Sequence, residues 1–332
     1  MSAPTCVGYG QAMMWAYELE GPGRMSPVTC TPPRAADLLP GQLLLRLVVG
    51  GICGSDVPKF TGAVEPDYHD RTGPGFPLHE VVADVVASAS ERFHPGDRVV
   101  GVARGAQGLR ELFVTPDFLV CALPAGLPAL TAIAAQPLAT VLSAVDRAPT
   151  PTGRDVAVIG LGPIGLLFAH VLSARGTRSV VGVDPVDRSD IAADFGLDAS
   201  VVATSDVWAA ALSDGERPDL CVEAVGHQTL TLADAVHAAA FGGHVVAFGV
   251  ADSDDYTVPF RTFFRKNLTM SSGTTPRDHW VPYLRRAVEL LIARPLPSYV
   301  THALPVAEAQ KAYDLAATPA PGRLKVAMTV QP

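Results

Sequence analysis

No Cys-x-x-Cys pair occurs in the 332 residues, and the five cysteines (Cys6, Cys30, Cys53, Cys121 and Cys221) are scattered and odd in number. That usage excludes a disulfide framework and reads as a reduced, intracellular chain. Lysine is rarer still, confined to Lys59, Lys266, Lys311 and Lys325, a scarcity that reads as coding bias. With a net charge of −8, no basic face for nucleic acid is expected. The opening MSAPTCVGYGQAMM lacks a basic segment followed by an apolar core, so no secretory leader is expected. Long apolar runs are missing too. The best candidate, 156–170, contains three Gly and a Pro, falls short of the ~20 residues of a spanning helix, and reads as strand, turn and helix. These absences leave a cytoplasmic protein that works without nucleic acid or membrane. At ~150 residues per domain the length suggests two domains.

What is present divides the chain. The first 125 residues are punctuated by Pro and Gly and carry short apolar runs at 43–49, 81–87, 97–102 and 111–114, the pattern of an all-β unit. Residues 129–147 are small and apolar at helical spacing, with Pro137 inside the run. From 155 onward, strand-like runs (155–160, 179–184, 199–203, 219–224, 244–249, 268–272) alternate with helix-like ones (164–175, 187–195, 206–213, 229–240). That alternation predicts an α/β unit with a doubly wound parallel sheet. A further amphipathic helix is predicted over 283–294, before a mixed closing stretch.

The run DVAVIG enters Gly160-Leu161-Gly162-Pro163-Ile164-Gly165 and then an apolar helix, and the next strand ends in Asp184. Glycines after a strand and before a helix let the backbone approach a pyrophosphate, which the helix N-terminus stabilises. A carboxylate about 20 residues on accepts ribose hydroxyls and repels a 2′-phosphate, which favours NAD over NADP. Arg188 is expected to lie along the adenine. Elsewhere, Cys53 in GICGSD, with His79 and Glu80 in PLHE, offers thiolate, imidazole and carboxylate from two loops. These are good zinc ligands, although a buried Cys and a hydrogen-bonded core His would look the same.

The order CGSD, HE, PGDRV (95–99), QPLAT, GLGPIG and a closing GRLKVAM resembles the medium-chain dehydrogenase/reductase superfamily, and more closely its zinc-dependent alcohol and polyol dehydrogenases. The resemblance runs from about residue 12 to 328. It implies a GroES-like β-rich catalytic domain built from both chain ends (1–147 and 284–332) and a Rossmann NAD-binding domain between them (148–283). It implies a single catalytic Zn²⁺ on Cys53, His79 and Glu80, with Gln136 or water as fourth ligand. Asp56 would orient the zinc-bound histidine, and Ser55 would bond the substrate oxygen and take its proton. Ile164, Asp184, Arg188 and Gly249 match cofactor positions, and Gly273-Thr274 would near the nicotinamide. The chain departs from the family at Leu78 and Ala83, where Gly is usual, and at Gln136, where polyol dehydrogenases have Glu. Pro58 replaces a relay histidine, leaving water or Lys59 as the proton exit, and residues 100–120 lack the four cysteines of a structural-zinc lobe.

The implied reaction is hydride transfer between NAD(H) and a secondary alcohol or ketone of polyol, sugar or cyclitol type, phosphorylated if Lys59 faces an anionic group. The alternatives are a zinc-free NAD(P)H reductase of the same superfamily and a catalytically silent cofactor-binding protein. The resemblance, together with the apolar, uncharged edge run 268–273, implies a homodimer or homotetramer, the alternative being a monomer whose following segment TPRDHWVPY covers that edge.

Overall fold

The computed structural model describes residues 13–66, 69–276 and 279–330. Two large sheets carry the architecture. The first has seven strands, centred on the long strand Gln42–Gly51, which pairs antiparallel with Glu80–Ser88, Leu112–Pro116 and Lys325–Thr329. Lys325–Thr329 runs parallel to Val300–Pro305 on its other side, so the last strand in chain order lies beside Gln42–Gly51, the first strand of the same sheet. Arg98–Val102 and Val120–Ala122 complete the far edge. A separate hairpin, Met14–Gly21 with Arg24–Cys30, was not evident in the sequence. Its polar, Pro-containing second strand hides the alternation on which strand prediction depends.

The second sheet is parallel throughout. Its strands lie in the spatial order Ala199–Val202, Ser179–Asp184, Asp155–Ile159, Leu220–Glu223, His244–Ala247 and Thr269–Ser272. In chain order this is 3-2-1-4-5-6, the arrangement of the dinucleotide-binding fold. Asp155–Ile159 and Leu220–Glu223 are buried almost throughout, as expected of strands covered on both faces. Ile159 is in register with Val183 and Glu223. Gly160, Asp184 and Ala224 therefore emerge side by side at the carboxyl edge, where the strand order reverses and such folds bind ligands.

Two expectations need correction. The helix expected over 129–147 is two, Ala129–Ala132 and Ala135–Arg147. The break places Pro137 in the first turn of the second helix, where a missing N–H leaves no intrahelical bond unmade. The helix expected over 187–195 is reduced to one 3-10 turn, Ala192–Phe195. Asp187 Oδ1 accepts the Ser189 N–H at 2.9 Å, a side-chain turn that competes with helix initiation. The helix Trp280–Ala293 packs on Ala135–Arg147. The helical stretch Ala129–Arg147 has the length and composition of a membrane span but is mostly buried within the protein.

His170, in the helix Pro163–Ala174, is 2% exposed, and neither ring nitrogen has a hydrogen-bond partner. Burial, helped by the Arg294 charge, pushes its pKa down from 6.5 to about 4. Between those values the unfolded chain binds a proton that the native one refuses, so stability falls as pH drops from 6.5 towards 4, by up to about 3 kcal/mol. His170→Leu should raise the melting temperature, with a larger gain at pH 5 than at pH 7.5. An equal gain at both pH values would show that His170 is not the group responsible.

Candidate active site

Residues 51–56 leave the long central strand as an irregular turn and enter the short helix Asp56–Thr61. Asp56 is fully buried and organises this turn. Its Oδ2 accepts the Cys53 N–H at 3.0 Å, while Oδ1 lies 2.7 Å from His79 Nδ1. One carboxylate therefore fixes both the cysteine loop and the imidazole. With Nδ1–H donating to Asp56, the Nε2 lone pair is left for a metal. Ligand atoms of Cys53, His79 and Glu80 lie within 4.8 Å of one another. Burial pushes the His79 pKa down, but Asp56 and Cys53 outweigh it and hold the group well above its ordinary value.

Glu80 is fully buried, and its Oε1 has no hydrogen-bond partner. Its Oε2 lies 2.5 Å from Lys325 Nζ, itself only 1% exposed. Sequence reasoning missed this lysine. The available signal was a lone charge between apolar neighbours in the closing strand, a pattern that demands a partner when buried. Tyr299 was missed as well: its buried hydroxyl lacks a partner, and burial, with Glu80 and Cys53 nearby, raises its pKa well above 10. A thiol, an imidazole nitrogen and an orphaned carboxylate oxygen form a donor set that suits Zn²⁺.

The other expected residues are placed as follows. Ser55 is half-buried at the start of Asp56–Thr61 and makes no capping bond with its side chain. Gln136 is buried in the first turn of Ala135–Arg147. Lys59, considered from sequence as a proton exit or a partner for an anionic group, lies 2.5 Å from Asp70 and is largely buried. Leu78, standing where the family has Gly, is fully buried in the catalytic-sheet core, which has a place for the larger side chain.

At the parallel sheet, Gly160 has φ +90°, and a Cβ there would lie 2.7 Å from the Val225 side chain. A Cβ on Gly165 would lie 1.7 Å from Gly160 O, so the helix can cross the loop only as glycine. Gly162 differs. Its φ of −69° suits any residue, and a Cβ would meet no protein atom within 4 Å. Protein packing therefore does not require this glycine, whereas a pyrophosphate lying against the backbone would. Pro163 begins the helix, with Ile164 partly buried behind it. Asp184 accepts Leu161 N–H at 2.6 Å and Val186 N–H at 2.7 Å, tying the strand end to the glycine loop. Gly249 packs against Gly226, where a Cβ would lie 2.3 Å from its nitrogen, and Gly273 abuts the Phe248 ring. Thr274 is exposed beyond Gly273. Arg188 departs from expectation. It is 3% exposed, and its Nη1 donates to Ala320 O at 2.9 Å and Arg323 O at 2.6 Å, so the guanidinium is committed to main-chain carbonyls rather than open to an adenine.

Residues 39–125 match the alcohol dehydrogenase GroES-like domain, and residues 163–290 match the zinc-binding dehydrogenase family. The chain is 27% identical over 340 residues to the L-arabinitol 4-dehydrogenase of Talaromyces emersonii, covering 88% of this chain and 85% of that one. It is 28% identical to the erythritol/L-threitol dehydrogenase of Mycolicibacterium smegmatis, covering 90% and 95%. Its fold superposes on the alcohol dehydrogenase TADH from Thermus sp. ATN1 with a TM-score of 0.82 and 27% identity, over 96% of this chain and 100% of that one. The chain belongs to the medium-chain, zinc-type alcohol and polyol dehydrogenases, with a GroES-like unit joined to a Rossmann-like parallel sheet.

The two glycines separate folding from binding. Gly165→Ala should destabilise the nucleotide-binding unit outright. Gly162→Ala should keep the wild-type melting temperature while weakening dinucleotide affinity at least about tenfold. Calorimetric titration with NADH reads both variants, and wild-type affinity in Gly162→Ala would remove the pyrophosphate from this loop.

Proposed function

We propose that the chain is a zinc-dependent, NAD(H)-linked dehydrogenase of polyol-type secondary alcohols. The observation that carries the reading is the convergence of Cys53, His79 and Glu80 within 4.8 Å, with Asp56 holding the histidine. The polyol class is supported by relatives named for arabinitol, sorbitol and erythritol. A zinc ion held there would supply Lewis acidity, and a nicotinamide would supply the hydride acceptor.

The residues divide the remaining work. Asp56 orients His79 and anchors Cys53, so the donors stand in position before any ligand arrives. Ser55, its hydroxyl unused by the helix, takes the proton of the substrate hydroxyl and passes it to water. Lys59 is not assigned the proton exit, because Asp70 already holds it. The same pairing reduces its attraction for a phosphate and favours an unphosphorylated polyol. Cys53 and Glu80 as anions would neutralise a dication. Lys325 adds one positive charge and Asp56 one negative, so the balance is kept. NAD is favoured over NADP because a 2′-phosphate would meet the Asp184 carboxylate while Arg188 is engaged elsewhere. Gly249, Gly273 and Thr274 remain the proposed nicotinamide-side positions. The strand Thr269–Ser272 ends the parallel sheet and is proposed to pair with a second copy.

Elemental analysis should find one zinc per chain, and a panel of polyols should yield NADH faster than NADPH. Chelation-resistant activity without zinc would replace this reading with the zinc-free reductase. Cys53→Ser should lose most of the metal and at least about 100-fold in kcat/KM, with the parallel sheet still binding NADH. Full activity in that variant would exclude the cluster from catalysis.

A further inference from the structure

Arg188 lies four residues beyond Asp184, yet both of its hydrogen bonds are made more than 130 residues away. The carbonyls it holds, Ala320 and Arg323, face each other across an isolated bridge around Gly322, which turns with φ +70°. Arg323 is itself clamped, its Nη1 donating to Leu315 O at 3.4 Å and Thr318 O at 2.5 Å. Two residues further on is Lys325, first residue of the strand that pairs with Gln42–Gly51 and the cation against Glu80. In the other direction, Asp184 holds the glycine loop through Leu161 N–H. Hydrogen bonds and an ion pair, linked by the short main-chain segments 184–188 and 323–325, thus join the loop after Gly160 to the cluster at Cys53.

A buried guanidinium is a poor choice for stability alone. Its Nε has no hydrogen-bond partner, its hydrogen-bond acceptors are neutral carbonyls, and burial lowers its pKa against the opposing pull of the Asp184 and Asp190 charges. An apolar side chain of similar length would fill the same volume without the desolvation penalty. What the guanidinium adds is direction: one nitrogen holds two carbonyls at fixed angles and so fixes where the 320–323 turn sits against the Asp184 turn.

We propose that Arg188 is a positioning residue that fastens the turn carrying Asp184 to the strand carrying Lys325, so that dinucleotide binding at the first is felt at the Cys53–His79–Glu80 cluster through the second. The coupling half of this inference rests on the NAD(H) reading above; the tether itself does not. A loosened tether leaves nucleotide contacts in place but lets the two units settle in a wider range of relative positions, which lowers kcat rather than raising KM for the nucleotide.

Amide hydrogen exchange of the full-length protein, with and without NADH, tests both halves. In wild type, NADH should slow exchange over residues 319–326. In Arg188→Met, exchange there should be at least about tenfold faster without nucleotide, and the NADH-linked slowing should vanish. NADH affinity should stay within about threefold of wild type while kcat falls roughly tenfold. Arg188→Lys, whose ammonium can still reach a carbonyl, should restore part of the slowing, a rescue that loss of packing alone would not produce. If Arg188→Met does not fold, the neutral donor in Arg188→Gln serves for the same comparison. Unchanged exchange overturns the tether. A tenfold or greater loss of NADH affinity with unchanged exchange makes Arg188 an adenine ligand instead. Failure of wild type to bind NADH sinks the functional reading and the coupling, while the nucleotide-free comparison still decides the tether.

Discussion

A buried ammonium set against a buried carboxylate, Lys325 Nζ to Glu80 Oε2 at 2.5 Å, is the constraint on which the rest of the structure depends. Neither group reaches water, and each alone would be an uncompensated charge in the core, worth several kcal/mol of destabilisation. The pair therefore exists only when the last strand has been zipped onto the central strand of the first sheet. Gly51 makes room for it: a Cβ there would lie 2.7 Å from Glu80 Oε2 and 3.2 Å from Lys325 Cε. The intervening residues build the parallel sheet between these two events, so closure of one sheet fixes the position of the other.

The same contact divides the work of Glu80. Oε2 answers Lys325 and Oε1 makes no hydrogen bond, while a carboxylate oxygen of the same residue stands within 4.8 Å of the Cys53 and His79 donor atoms. A carboxylate used on both sides can hold a metal while being held itself, which keeps its orientation when the outer ligands change. Asp56 does the equivalent for His79 and Cys53 with its two oxygens. Two buried carboxylates, each bridging two partners, thus preorganise the donor set before any ion is bound.

The parallel sheet was readable because its signals are local. Apolar runs of four to six residues are bounded by turns, and the glycine loop sits between a strand and a helix. Asp56 and the ligand trio were visible as residue types at motif positions. Lys325 as a partner of Glu80 was not visible: its apolar neighbours hinted that it is buried, but the two residues are far apart in the chain and nothing local says which carboxylate it meets. Arg188 was hard to read for a related reason: its place after Asp184 suggested the adenine, whereas its guanidinium meets the carbonyls of Ala320 and Arg323, more than 130 residues on. Pro137 misled for a local reason: a proline within a helical run is disruptive in the interior and harmless one turn from the start.

The scarcity of lysine, unremarkable as composition, becomes informative once each one is located. Lys266 Nζ lies 2.6 Å from His237 O and 2.7 Å from Ala239 O, holding the end of the helix Thr231–Ala238. Lys311 pairs with Glu308 one turn away. Lys59 holds Asp70 across the loop beside the catalytic helix, and Lys325 holds Glu80. Two of these four cations, Lys266 and Lys325, stand at junctions between segments distant in sequence, while the abundant arginines supply most of the exposed ion pairs, such as Arg98 with Asp84 and Arg178 with Asp155. The difference follows from size. An ammonium is a compact point charge on a slim stem, whereas a guanidinium needs a planar slot and several acceptors. Beside Glu80 the compact ammonium of Lys325 packs so close to Gly51 that even a Cβ there would lie 3.2 Å from Lys325 Cε. Arg188 is the converse, a planar donor placed where two carbonyls must be held at once.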